Sequence, residues 1–111
     1  MTILDPQAGY VTLINTFEVE PARAEELLAA LSRSTDEYIR NVPGFVSANL
    51  HLSFDLRNIA NYAQWRSQAD LDVFMADPKA REHMAEIAAL ATSFRPIYYT
   101  LKETHGGDDA A

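Results

Sequence analysis

Between Tyr10 and Val19 the chain alternates with period two: Val11, Leu13, Asn15, Phe17 and Val19 share one face, and Tyr10, Thr12, Ile14, Thr16 and Glu18 the other. This alternation predicts a first strand whose apolar row faces a core, with one polar residue, Asn15, set inside that row. Glu20 and Pro21 then open a helix, proline suiting the first helical position. Ala24, Leu27, Leu28, Leu31, Tyr38 and Ile39 follow at helical spacing, while Arg23, Glu26, Arg33, Asp36, Glu37 and Arg40 make up its wet side. Val42-Pro43-Gly44 ends it, because the residue before proline is pushed out of the helical region and glycine permits the turn.

Phe45 to Phe54 alternates again, with Val46, Ala48, Leu50, Leu52 and Phe54 on one side and Ser47, Asn49, His51 and Ser53 on the other. Asp55 to Arg57 makes a turn, and Asn58 to Trp65 returns as a third strand with Ile59, Asn61, Ala63 and Trp65 on one face. Ser67 caps a helical piece carrying Leu71, Phe74 and Met75. Asp77-Pro78 is a fresh cap, so the second helical region is broken there and continues through His83, Met84, Ile87, Leu90 and Ala91. Arg95 and Pro96 lead into a fourth strand, Ile97 to Leu101.

The order strand, helix, strand, strand, helix, strand predicts a ferredoxin-like α+β fold, with right-handed crossovers placing the helices on one side of a four-stranded antiparallel sheet. Strands one and three are then central neighbours. The other sheet face is left bare, with Ile14, Val46 or its alternates, Tyr62 and Tyr98 expected on it, and a homodimer packed sheet to sheet would bury it. Residues 1–9 are read as an N-terminal extension, 10–102 as the domain, and 103–111, polar and glycine-bearing, as a disordered tail.

Composition narrows the chemistry. A chain of 111 residues with 48% hydrophobic and 23% charged residues is one ordinary globular domain. A net charge of −7, with the cations scattered, argues against a nucleic-acid partner. The absence of cysteine removes disulfides, thiolate nucleophiles and cysteine-held metals. Four glycines, at 9, 44, 106 and 107, are too few and too dispersed for a dinucleotide fingerprint or a phosphate loop. The first nine residues do not read as a signal peptide, and no stretch approaches the ~20 apolar residues of a membrane span, so a cytoplasmic location with no membrane partner is expected.

Three side chains on apolar strand rows then call for explanation: Asn15, Asn61 and Trp65. A buried amide left unpaired costs ~1–3 kcal/mol, so each Asn either satisfies protein groups or is held for a ligand. Trp65 is either a core aromatic or part of a site. His51, in a polar row, and His83, on the second helical region, are each either packed residues or ligand contacts, and His105 lies in the tail.

The block Asn61-Tyr62-Ala63-Gln64-Trp65-Arg66-Ser67, with Val42-Pro43-Gly44-Phe45 and Asn15-Thr16-Phe17 before it, resembles the antibiotic biosynthesis monooxygenase family over Gly9 to Lys102. The resemblance implies a dimeric α/β barrel of ferredoxin-like subunits with a pocket between helices and sheet. It also implies oxidation of an anthrone-like aromatic polyketide or polyphenol to a quinone by molecular oxygen, with no metal, flavin or haem. Asn15, Asn61 and Trp65 match the catalytic amide and indole positions of such members, and His51 follows a strand-two histidine of some of them. Leu71, Phe74 and Met75 would exclude water, and with His51 and His83 would bind substrate. Leu71 and a position near Met84 depart from a tyrosine and an arginine present in some quinone-forming members. Haem-degrading monooxygenases of the same superfamily offer an alternative, in which Asn15, Trp65 and His83 form the set and His83 ligates haem iron. A non-catalytic dimeric domain that binds a small ligand is a third reading.

Overall fold

A computed structural model describes residues 1–108; the expectation for the tail falls partly on residues 109–111, outside the described residues. β1 (Val11–Glu18), α1 (Ala24–Glu37), β2 (Phe45–Leu52), β3 (Asn58–Trp65), α2 (Gln68–Ala76), α3 (Pro78–Leu90) and β4 (Ser93–Thr100) follow in chain order. Short 3₁₀ turns at Pro21–Arg23 and Ile39–Asn41 flank α1. The strands form one antiparallel sheet in the order β2-β3-β1-β4, the ferredoxin-like arrangement, with β1 and β3 at its centre.

The predicted caps are in place. Ser67 Oγ accepts the Asp70 amide at 3.1 Å, and Asp77 Oδ1 accepts the Lys79 amide at 3.0 Å with Pro78 at the start of α3. Each cap satisfies a donor that the first turn of a helix leaves over, which is why the second helical region breaks at Asp77.

The helix-facing row of β1 is Leu13, Asn15 and Phe17, and that of β3 is Ile59, Asn61, Ala63 and Trp65. The core divides along these rows. On one side Phe17, Val19 and Ile59 pack with Ala24, Leu27, Leu31 and Ile87; on the other, Leu13, Ala63 and Trp65 pack with Leu71. The Asn15 and Asn61 level lies between the two clusters.

Three expectations need correction. The fourth strand begins at Ser93, not Ile97, and Pro96 lies within it opposite Asn15. β4 is an edge strand, and an edge tolerates a residue that cannot donate to a ladder. Because Leu13 pairs with Tyr98, that tyrosine stands on the helix side of the sheet rather than the bare face. The helices do not cover it there, and it remains 39% exposed. Finally, the register of β2 shifts between Phe45 and Ser47, so Phe45 pairs with Trp65 while Ala48 and Leu50 keep the helix-facing row. An unbroken alternation would have turned Phe45 away; the extra residue of a bulge restores it to the core side.

Residues 1–9 lie over part of the other sheet face. Gln64 Nε2 donates to the Ile3 carbonyl at 2.8 Å, Ser47 Oγ donates to Gln64 Oε1 at 2.8 Å, and Thr2 Oγ1 donates to Ser47 Oγ at 2.9 Å. This network explains why Ser47 and Gln64, polar residues on a face expected to be bare, are buried.

Gly44 ties β2 to α2. Its φ is +88°, its carbonyl accepts the Arg66 amide at 2.7 Å, and a Cβ there would stand 2.3 Å from Asp70 Cβ. Gly44→Ala therefore combines a left-handed backbone penalty with a collision. Urea denaturation should show a loss of about 1–3 kcal/mol or more; an unchanged midpoint would mean that the turn and α2 separate freely.

Candidate active site

A cavity of about 140 Å³ opens between the helices and the β1–β3 rows, at the level where the two core clusters part. Its walls are mostly apolar, including Leu13, Phe17, Ile39, Phe45, Met84 and Ile87. An apolar hollow with a few convergent polar groups is the usual form of a small-molecule site.

Asn15 and Asn61 are direct cross-strand partners and both line the cavity. Opposed residues on adjacent strands hold their Cβ atoms roughly 4.5–5.5 Å apart, so the two amides project side by side. Asn15 Oδ1 and Asn61 Oδ1 are buried with no hydrogen-bond partner. An uncompensated buried acceptor costs ~1–3 kcal/mol, and here that cost falls twice at one spot. Two buried acceptors without partners call for two donors.

Trp65 is buried at the end of β3, where its indole meets Phe45 edge-on at 5.6 Å between centroids and Phe74 at 4.9 Å with a 30° tilt. Phe45 is on the correct side only because of the β2 bulge, and Phe74 comes from α2 through the Ser67 cap. These two rings fix the indole plane as part of the cavity wall.

His83 lines the opposite side from α3. Its Nδ1 is 2.8 Å from the Oγ of Ser34, a buried residue of α1, and its ring stacks on Tyr38 at 4.7 Å. The Tyr38 hydroxyl donates to Asp77 Oδ2 at 3.3 Å, and Lys79 Nζ lies 4.8 Å from the ring centroid. Burial, and then the Asp77 carboxylate, hold the Tyr38 phenol above its ordinary range, so it stays protonated in this arrangement.

Of the residues singled out in the sequence, Asn15, Asn61, Trp65, Phe74, Met75 and His83 line the cavity. Leu71 does not: it is fully buried in the cluster with Leu13, Ala63 and Trp65, supporting the wall from behind. His51 does not either. Its pairing with Ala60 puts it on the far face of the sheet, where it is exposed. Sequence reasoning missed Ser34, Phe45 and Arg81. Ser34 looks like one more polar residue on a wet helix face, and Arg81, exposed on α3, carries no motif. Only the bulge reveals Phe45. Among the described residues, no three His, Asp or Glu side chains converge as a metal site.

This geometry can be set beside known proteins. The family model for antibiotic biosynthesis monooxygenase matches residues 10–86. The chain belongs to that family. Its activity class is accordingly that of a monooxygenase. The tetracenomycin-F1 monooxygenase of Streptomyces glaucescens is 38% identical over 106 residues, covering 96% of this chain and 94% of that protein. The crystal structure of a monooxygenase from the gene ActVA-Orf6 of Streptomyces coelicolor, in complex with nanaomycin D, superposes with a TM-score of 0.80. It is 33% identical and covers 94% of this chain and 96% of its own. SnoaB of Streptomyces nogalater, described as a cofactor-independent oxygenase, is 25% identical with a TM-score of 0.71, covering 86% of this chain and 96% of its own.

Asn61→Leu removes an unpaired acceptor while keeping similar volume. Chemical denaturation should show stability unchanged or raised by up to about 1–3 kcal/mol. A clear loss of stability would instead reveal that the amide is satisfied within the protein.

Proposed function

We propose that this family member oxidises a hydroxylated aromatic polyketide of the anthrone type to the corresponding quinone with molecular oxygen, and needs no metal, flavin or haem. The observation that carries the reading is a pair of unpartnered amide oxygens, on cross-strand partners that line an apolar cavity together with Trp65. Phenolic hydroxyls are the donors those oxygens lack. Each amide also carries N–H donors, which suit the oxygen of an enolate. The relatives' names support the same chemistry: one is a tetracenomycin-F1 monooxygenase, one was crystallised with nanaomycin D, and one is a cofactor-independent oxygenase. Those names favour it over the haem-degrading reading, although Asn15, Trp65 and His83 share the cavity.

The protein's task in such a reaction is to bind, orient and polarise. An anthrone has an acidic ring CH₂, and loss of one proton gives an enolate rich enough in electrons to reduce O₂ by one electron. Recombination forms a C–O bond and a peroxide at the former CH₂ carbon. Loss of the remaining C–H proton with cleavage of the O–O bond then leaves a carbonyl and releases water. The net change is CH₂ plus O₂ to C=O plus H₂O. Asn15 and Asn61 stabilise the charge on the enolate oxygens as it develops, Trp65 fixes the plane of the rings beside Phe45 and Phe74, and Phe74 and Met75 keep water from the intermediate.

The active form in this reading is a cytoplasmic homodimer. Met1, Ile3 and Leu4 of the N-terminal segment and Tyr99 of the edge strand are 45% exposed or more, apolar groups of the kind a second copy buries. No helix of the described residues is long and apolar enough to cross a membrane.

Oxygen uptake on adding an anthrone to protein free of flavin and haem by its spectrum should exceed the spontaneous rate and yield the quinone. Asn61→Leu and Trp65→Phe should each cut turnover by roughly tenfold or more with native circular dichroism. Uptake no faster than background would discard the reading. Light scattering should give about twice the 12.4 kDa chain mass; a stable monomer at micromolar concentration would remove the dimer.

A further inference from the structure

The reaction begins with removal of a proton from carbon, and the cavity offers few groups able to take it. Among its lining residues there is no carboxylate, tyrosine, lysine or cysteine. The amides and the indole are not bases, and a guanidinium offers donors and no acceptor. Thr35 Oγ1 already donates to the Leu31 carbonyl at 2.9 Å, and hydroxyls are in any case poor bases. The imidazole of His83 is the remaining candidate, the one side chain in the lining whose chemistry lets it both accept and return a proton.

We propose that His83 is the general base of this reaction: its imidazole takes the proton from the substrate's ring CH₂ and returns it to the peroxide formed with oxygen. This inference rests on the quinone-forming reading and deepens it. The surroundings of His83 fit the role. Nδ1 is bound to the buried Ser34 Oγ at 2.8 Å, and the ring face is pressed on Tyr38 at 4.7 Å, so the imidazole is held in position from two directions. The Ser34 hydroxyl can accept from Nδ1–H or donate to Nδ1; the tautomer that acts as base is the one in which Nδ1–H donates to Ser34 and the lone pair resides on Nε2. Ser34 is then a positioning residue, holding the ring from α1.

The steps balance. Nε2 takes the CH₂ proton, giving imidazolium and enolate, and the enolate passes one electron to O₂ before the two radicals combine into a peroxide anion on that carbon. The imidazolium protonates the terminal oxygen and becomes neutral again. The neutral imidazole next accepts the remaining proton on that carbon as the O–O bond breaks. The C–H electron pair becomes the second C–O bond, and the departing hydroxide takes the proton from imidazolium and leaves as water. His83 ends as it began, and O₂ is the oxidant throughout.

Proton removal can be read without oxygen. Under argon in D₂O, wild-type protein should accelerate exchange of the anthrone CH₂ protons, followed by proton NMR, and His83→Gln should reduce that acceleration at least about 100-fold. Under air, His83→Ala should lose oxygen uptake to a similar degree and regain part of it on adding imidazole. Ser34→Ala should slow exchange less, by roughly tenfold, because the base remains but its ring is no longer held by the hydrogen bond from α1. Exchange and uptake in His83→Gln equal to wild type, with native circular dichroism, would overturn the role of His83 and leave the quinone-forming reading intact. If wild-type protein oxidises no anthrone and catalyses no exchange, the reading itself fails and the base with it. Catalysed exchange with no oxidation would support the base while overturning the oxygenation.

Discussion

A buried amide without a partner is an energetic debt, and this fold keeps two of them opposite each other in the middle of its sheet. Asn15 and Asn61 occupy positions that the alternation of β1 and β3 assigns to the core. A hydrophobic pair there would join the cluster around Phe17 and Ile59 to the cluster around Leu13 and Trp65. The amides hold the two apart, and the hollow between them is the cavity. The rest of the structure accommodates that choice: each cluster is sealed separately, one by α1 and α3, the other by α2 and the loop after α1.

Position in the cavity is set by rigid elements. The amides come from central strands, each hydrogen-bonded on both sides. Trp65 is clamped between Phe45 and Phe74, and His83 between Ser34 and Tyr38. Such double support holds a side chain in one rotamer, as a site that must orient its ligand requires. The second helical region contributes through its break: the Ser67 cap aims Phe74 and Met75, and the Asp77 cap starts the helix that carries His83.

Much of this was legible along the chain. Period-two alternation, Pro-Gly punctuation and the two capping residues gave the element order, and the order gave the topology. The same alternation marked Asn15 and Asn61 as polar residues on core rows, and placed Trp65 beside them. It misled where its premise of unbroken period failed. At Phe45 a bulge shifts the phase, and at Ser93 to Pro96 the strand starts early because an edge tolerates proline. His51 illustrates the reverse case. Its alternation puts it in the polar row, and the sheet sets that row on the far face, away from the cavity that the family resemblance implies for it.

What the sequence determined by itself was therefore the face each strand residue takes, since side-chain direction in a strand follows parity alone. What the tertiary structure decided was which residues meet. Leu71 and Phe74 lie on the same short helix, but only the packing of α2 makes one a buried support and the other a wall of the cavity. Ser34 and His83 lie 49 positions apart, and no local pattern announces their hydrogen bond. Contacts across such separations depend on the register of the sheet and the seating of helices on it, and those are fixed by the whole chain at once.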